Sequence, residues 1–158
     1  RRPPGSTLFP YTTLFRSTAS IFDAEGWTTT GDIVKLDRGC LWILGRQKDM
    51  IIRGGQNIYP AEIEGLLNEH PSVGAVAVVG MPDKEFGERA CAYISTKPGR
   101  TITFEELKQF LLSKQIAKYK LPERLEIIEA MPTVGDSGKV DKKVLRVDIE
   151  EKLKAGPS

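Results

Sequence analysis

Apolar positions along this chain change period several times, and each change marks an element. Phe22 to Trp27 reads as a turn, followed by a β-branched run, Thr28-Thr29-Thr30, that predicts a short strand ending at Gly31. Ile33 to Leu36 and Cys40 to Leu44 flank Asp37-Arg38-Gly39, a hairpin signal with glycine placed for a positive φ. The polar stretch Gly45 to Asp49 leads into a short strand, Met50-Ile51-Ile52, closed by a Gly54-Gly55 loop. Pro60 takes a first-turn position, and Ile63, Leu66 and Leu67 then recur at helical spacing until Pro71 stops the helix. Val73 to Val79 reads as a strand packed on both faces, and Ala90 to Ser95 as a second strand. Thr103 with Glu106 forms a capping box ahead of Leu107, Phe110 and Leu111. A strand over Arg124 to Ile128 precedes the loop Met131 to Lys139. A charged helix from Asp141 to Lys154 then carries Leu145, Ile149 and Leu153 on one side. The order predicts an α+β fold: a small three-stranded sheet packed with helices and preceded by a β-hairpin.

Composition narrows the chemistry. The chain has 158 residues, 40% hydrophobic and 28% charged, which suits one soluble globular domain and excludes a disordered or disulfide-stapled chain. A net charge of +2, from 23 basic and 21 acidic residues, argues against a dedicated nucleic-acid or membrane-surface binder. No apolar run reaches the ~18 residues of a membrane span. Cys40 and Cys91 form no CxxC pair and read as reduced core residues of a cytoplasmic protein. His70, the single histidine, excludes a zinc site built on several histidines, and its place before Pro71 reads as structural. Chemistry then rests on Lys, Arg, Asp or backbone groups.

Residues 1–17 stand apart. Thr7 to Ser17, TLFPYTTLFRS, repeats TLF and fits neither helical nor strand periodicity. The string resembles the conceptual translation of a sequencing-library adapter, and 1–17 is read as a non-native leader. The alternative is an edge strand that packs Phe9, Tyr11 and Phe15.

Three loops are richer in glycine and charge than packing requires. The first is Gly26-Trp27 with Thr30-Gly31-Asp32. The second runs from Gly45 to Glu64 and reads GRQKDMIIRGGQNIYPAEIE. The third is Pro132 followed by Ser137-Gly138-Lys139-Val140-Asp141-Lys142-Lys143. Together they resemble the signature segments of the adenylate-forming (AMP-dependent) ligase superfamily, which includes acyl-CoA synthetases and aryl-acid ligases. The resemblance spans Thr18 to about Leu153. It implies that 18–46 is the end of a large N-terminal domain and 47–158 its C-terminal lid. It further implies an ATP-dependent carboxylate-CoA ligase, which forms an acyl-adenylate and then a thioester with release of AMP.

The same resemblance assigns roles. Asp32 and Arg46 would bind the nucleotide, Asp32 at the ribose hydroxyls and Arg46 at ribose or phosphate. Lys139 would carry adenylation, its ammonium neutralising charge as carboxylate and α-phosphate meet. Lys48 would be the hinge, and Gly54 and Gly55 would line the pantetheine channel. ATP, Mg2+ and coenzyme A are the implied cofactors, the metal held mainly by the large domain. Partners are the carboxylic acid and that N-terminal domain, with no nucleic acid, and a homodimer is left open. The third loop is one residue longer than the commoner interval and adds Asp136. An aryl-acid enzyme that loads a carrier-protein thiol is the near alternative. A non-catalytic module using Lys142, Lys143, Arg146, Lys152 and Lys154 is the distant one.

Overall fold

The computed structural model describes residues 23–156, so the expected leader over 1–17 lies outside the described residues. The chain divides into two units, Arg1–Asp32 and Ile33–Ser158. In the first, Asp23 closes a turn by accepting the Trp27 backbone N–H at 2.7 Å. The expected strand at Thr28 to Thr30 is reduced to a single bridge residue, Thr28.

The second unit is built on one mixed sheet. Strands β1 (Asp32–Asp37) and β2 (Cys40–Arg46) form the expected two-stranded hairpin. The α+β class holds, and the main sheet has five strands: β3 (Ile51–Arg53), β4 (Gln56–Ile58), β5 (Val73–Asp83), β6 (Gly87–Thr96) and β7 (Arg124–Ile127). The three core strands anticipated are joined by the expected short strand at Met50 to Ile52, here β3, and by β4, which was not expected; these two are the arms of a short hairpin around Gly54-Gly55. Strand β6 is the axis. It pairs antiparallel with β5 from Val73↔Thr96 to Asp83↔Gly87. It also pairs with β3 at Gly87 and runs parallel to β7 from Cys91 to Ile94.

Alternation along β5 and β6 serves two cores because side chains at successive positions face opposite ways. Val76, Val78, Ala90, Ala92 and Ile94 face one side, against Ile63 and Leu67 of helix α1 (Pro60–Leu67) and Leu107 and Leu111 of α2 (Phe104–Ser113). Ala77, Val79, Met81, Cys91 and Tyr93 face the other, against Leu145 and Ile149 of α3 (Lys142–Ala155). This explains the nearly unbroken apolar run of β5. Helix α2 starts where the sequence indicates, with both hydrogen bonds of the Thr103–Glu106 capping box formed. His70 is structural, its Nδ1 accepting the Ser72 N–H at 3.2 Å and its ring edge-on to Phe110.

Cys40 departs from expectation. It is exposed on β2, and only Cys91 is buried. The cause is the hairpin itself: Leu41 and Ile43 on one face and Trp42 on the other are all more than half exposed. A lone two-stranded ribbon has no second layer to bury either face.

Helix α3 is fastened to the sheet by a charged cluster. Lys152 Nζ lies 2.7 Å from Glu126 Oε2 and 2.8 Å from Asp148 Oδ2, and Arg124 Nε donates to Glu126 Oε1 at 2.6 Å. The buried Tyr93 hydroxyl donates to Asp148. Burial works against ionisation of Glu126, but the bonds from Lys152 and Arg124 overcome it and hold its carboxyl below the usual range. Lys152, then Tyr93, do the same for Asp148. On the alkaline side, burial pushes the Cys91 thiol up to about 12.

These shifts set a stability window. The two carboxylates bind protons more weakly folded than unfolded, so their contribution is complete above their ordinary values of 4.5 and 3.8 and is lost as pH falls below them. The thiol binds its proton more tightly folded, so its contribution is complete below 9.0 and declines as pH rises toward 12. Urea midpoints measured across pH should therefore form a plateau between these limits. A Glu126→Gln, Asp148→Asn double variant should flatten the acid limb; an unchanged limb would contradict the assignment.

Candidate functional site

A groove of about 510 Å³ opens where the end of β2, the loop before α3 and the first turns of α3 meet. Its lining includes Arg46 and Lys48, from the second of the sequence motifs, and Lys139, from the third, together with Lys142, Lys143 and Arg146. Six cations face two carboxylates there, Asp49 and Asp141. Such an excess favours an anion.

Each wall is held for a local reason. The loop carrying Lys139 is a clamped hairpin. Thr133 pairs with Val140, Val134 N–H donates to Lys139 O at 2.8 Å, and Asp141 N–H donates to Pro132 O at 2.8 Å. A 3-10 turn, Gly135–Ser137, forms its tip and holds the additional Asp136 in solvent. Asp141 then caps α3 by accepting the Lys143 N–H at 3.0 Å. A second 3-10 turn, Gln47–Asp49, carries Lys48 on the opposite wall.

The cations differ in their engagement. Lys142 Nζ binds Glu64 Oε1 at 2.6 Å, and that same oxygen accepts the Val78 N–H at 2.7 Å. Arg146 binds Asp49 Oδ1 at 2.8 Å. Among the described residues none pairs with the Lys139 or Lys48 ammonium. Arg46 is engaged within the protein. The groove thus combines two cations that serve the fold with ammonium groups available to a ligand. Phosphate oxygens fit this donor set. A metal does not fit as well: among the described residues no group of three or more Asp, Glu, His or Cys could hold one.

Residues 62–139 match the family model for the AMP-binding enzyme C-terminal domain. The chain carries the C-terminal domain of the adenylate-forming ligases. It is 44% identical over 138 residues to the medium-chain fatty-acid–CoA ligase of Escherichia coli (strain K12), covering 86% of this chain and 24% of that protein. It is 45% identical over 139 residues to the 2,3-dihydroxybenzoate-AMP ligase of Bacillus subtilis (strain 168), covering 87% of this chain and 25% of that protein. ATP-bound MatB from Rhodopseudomonas palustris superposes with a TM-score of 0.75 at 38% identity, covering 87% of this chain and 27% of the other. The chain therefore spans about a quarter of the length of the relatives it matches.

Within this adenylate-forming ligase domain, the glycine pair lies elsewhere than the groove. Gly54 and Gly55 are the two-residue turn between β3 and β4, where φ of +53 and +81 suits a primed hairpin turn. Gly54 N–H donates to Phe86 O at 2.8 Å, and a Cβ at Gly54 would stand 3.0 Å from Phe86 Cδ1. Arg53 stacks over the Phe86 ring at 4.1 Å, with Arg89 at 4.9 Å. Arg53 and Arg89 both bind Glu123, and the Glu123 carboxylate, helped by Asp83, holds Arg89 above its ordinary value against the opposing effect of burial. Asp32, the last residue of the first unit, is engaged within the protein, and its backbone N–H donates to Thr30 Oγ1 at 3.2 Å.

Sequence reasoning did not place Arg146, Lys142, Asp49 or Phe86 at these sites. The spacing of Lys142 and Arg146, one helical turn apart after Lys139, was the available signal for the first two. Nothing local marks Phe86, which reaches the glycine turn only through the β3–β6 pairing.

The glycine turn yields a contrast. Alanine in the left-handed region costs about 1–2 kcal/mol at either glycine. Gly54→Ala should cost ~1 kcal/mol more than Gly55→Ala, because Phe86 must also move, whereas the space at Gly55 is open. Urea unfolding of both variants measures the difference, and equal losses would contradict the contact.

Proposed function

We propose that this chain is the C-terminal lid, with the end of the large domain, of an ATP-dependent carboxylate–CoA ligase. The observation that carries the reading is the groove that brings Lys139 together with Arg46 and Lys48, from two motifs far apart in the chain, in a domain of this family. Residues 18–46 are the end of the large domain and 47–158 the lid. The exposed apolar residues on both faces of the β1–β2 hairpin support that division, since an upstream body would cover them.

In the first half-reaction a carboxylate oxygen bonds to the α-phosphorus of ATP while the bond to the bridging oxygen breaks and pyrophosphate leaves. Lys139 neutralises the charge that accumulates as the two anions meet. Asp32 accepts hydrogen bonds from the ribose hydroxyls, and Arg46 presents its planar fork to ribose or phosphate. Mg2+, when present with ATP, offsets phosphate charge, and the upstream domain supplies its ligands. In the second half-reaction a thiolate sulfur bonds to the acyl carbon and AMP departs. Rotation about Lys48 then brings the Gly54-Gly55 turn, which has no side chains to obstruct a pantetheine arm, into the channel in place of Lys139. The groove and the turn are distinct features of one unit, which suits a lid that uses a different part for each step. The buried, reduced Cys91 accords with a cytoplasmic location.

A second reading has its own support. The 45% identity to an aryl-acid–AMP ligase equals that to the fatty-acid enzyme within a percentage point, so a carrier-protein thiol could replace coenzyme A as acceptor. Supplying the intact enzyme with each acceptor separates the two.

In the intact enzyme, Lys139→Ala should lower ATP–pyrophosphate exchange by about 10²–10³-fold. Thioester formation from supplied acyl-adenylate should persist. Retention of exchange, or equal loss of both steps, would contradict the role of Lys139. The 158-residue chain alone should show no exchange, because the acyl pocket belongs to the upstream domain.

A further inference from the structure

The boundary between exposed and anchored backbone falls at one residue. Arg46, Gln47 and Lys48 are exposed, Asp49 and Met50 are half-buried, and Ile51 is buried in the core. Across that boundary reaches a residue that is distant in sequence. Arg146 Nη2 donates to Lys48 O at 3.2 Å and to Asp49 Oδ1 at 2.8 Å, one hydrogen for each acceptor. The guanidinium comes from a fixed support, because the neighbouring Leu145 and the following Ile149 are buried against the sheet.

We propose that Arg146 is a positioning residue that pins the peptide plane after Lys48 to the lid and so confines the lid's rotation to the dihedrals of Lys48. This rests on the reading of Lys48 as the hinge. The carbonyl oxygen of a residue turns with the chain that follows it, so Lys48 O moves with the lid when Lys48 rotates. By binding both that oxygen and the Asp49 carboxylate, Arg146 makes the first peptide of the lid part of its rigid body. Among the described residues one backbone bond crosses the hinge, Met50 N–H to Gln47 O. At 3.3 Å it is longer than the ordinary range and yields readily on rotation. Without Arg146, Asp49 joins Lys48 as a freely turning residue. The lid then samples more orientations, and fewer of them present either the groove or the glycine turn. The side chains of Arg146 and Asp49 are 30% and 18% exposed, so the contact is partly shielded from water.

The 158-residue chain suffices for the test. A spin label on the exposed native Cys40 in the hairpin and another at Lys97→Cys in the lid report the swing; Cys91 is buried. A second pair, Lys97→Cys with Glu151→Cys in a Cys40→Ser background, reports whether α3 stays docked. Arg146→Ala should widen the hairpin-to-lid distance distribution roughly twofold, as a second residue's dihedrals are freed, and leave the second pair unchanged. Arg146→Lys should restore the narrow distribution only in part, because its ammonium has hydrogens for both acceptors but lacks the rigid plane that aims them. Asp49→Asn, which leaves α3 untouched, should widen the distribution in the same direction. If Arg146→Ala and Asp49→Asn leave the width unchanged while Lys48→Gly increases it, the hinge reading survives and the role of Arg146 is overturned. If Lys48→Gly has no effect either, the hinge reading falls as well. Widening of the second pair would overturn the proposal by showing that Arg146 only holds the helix.

Discussion

The pairing of β6 with β5 is the constraint on which the other elements depend. Ten residues of β6 give the sheet its register, from Val73↔Thr96 to Asp83↔Gly87. That register decides which side chains reach each face. A slip of one residue would move Cys91 and Tyr93 to the α1–α2 side and Ala92 and Ile94 to the α3 side. Both layers of helices would lose their seats together. Strands β3 and β7 add to β6 itself, so the glycine turn inherits its position from the same strand.

Charge then connects the layers that apolar contact has stacked. Glu64 of α1 accepts from the Val78 backbone and from Lys142 of α3, tying both helices to β5 through one oxygen. Glu126 and Asp148 share Lys152, and Tyr93 joins them from inside the core. These pairs are half-buried, where charge-assisted bonds are stronger than on an open surface and an unpaired partner is costly. The groove is a by-product of that fastening: the helix start that anchors Lys142 also sets the loop bearing Lys139 opposite Arg46 and Lys48.

Local signals carried much of this architecture. Pro60 at the head of α1, the Thr103–Glu106 box and the apolar run of β5 each act within a few residues, and each element stands where its own chemistry puts it. The glycine and lysine motifs also marked Lys139, Arg46 and Lys48, which share one groove. What stayed hidden depends on pairing across the chain. Gln56-Asn57-Ile58 is too short and polar to announce a strand, and becomes one because β3 is already fixed on β6. Phe86 contacts Gly54 for the same reason. Cys40 looked like a core residue because its neighbours are apolar, yet burial needs a second layer that the hairpin lacks.

The order in which the chain is made gives the groove a further property. Asp49 leaves the ribosome 97 residues ahead of Arg146, and the face formed by Ala77, Val79, Met81, Cys91 and Tyr93 has no cover until α3 follows. A nascent chain can therefore settle α1 and α2 on their side of the sheet while the opposite side is still open. In that interval the cations of the groove are not assembled, and the half-covered sheet is a natural handhold for a chaperone. Docking of α3 closes that side of the sheet and completes the lining of the groove in a single event.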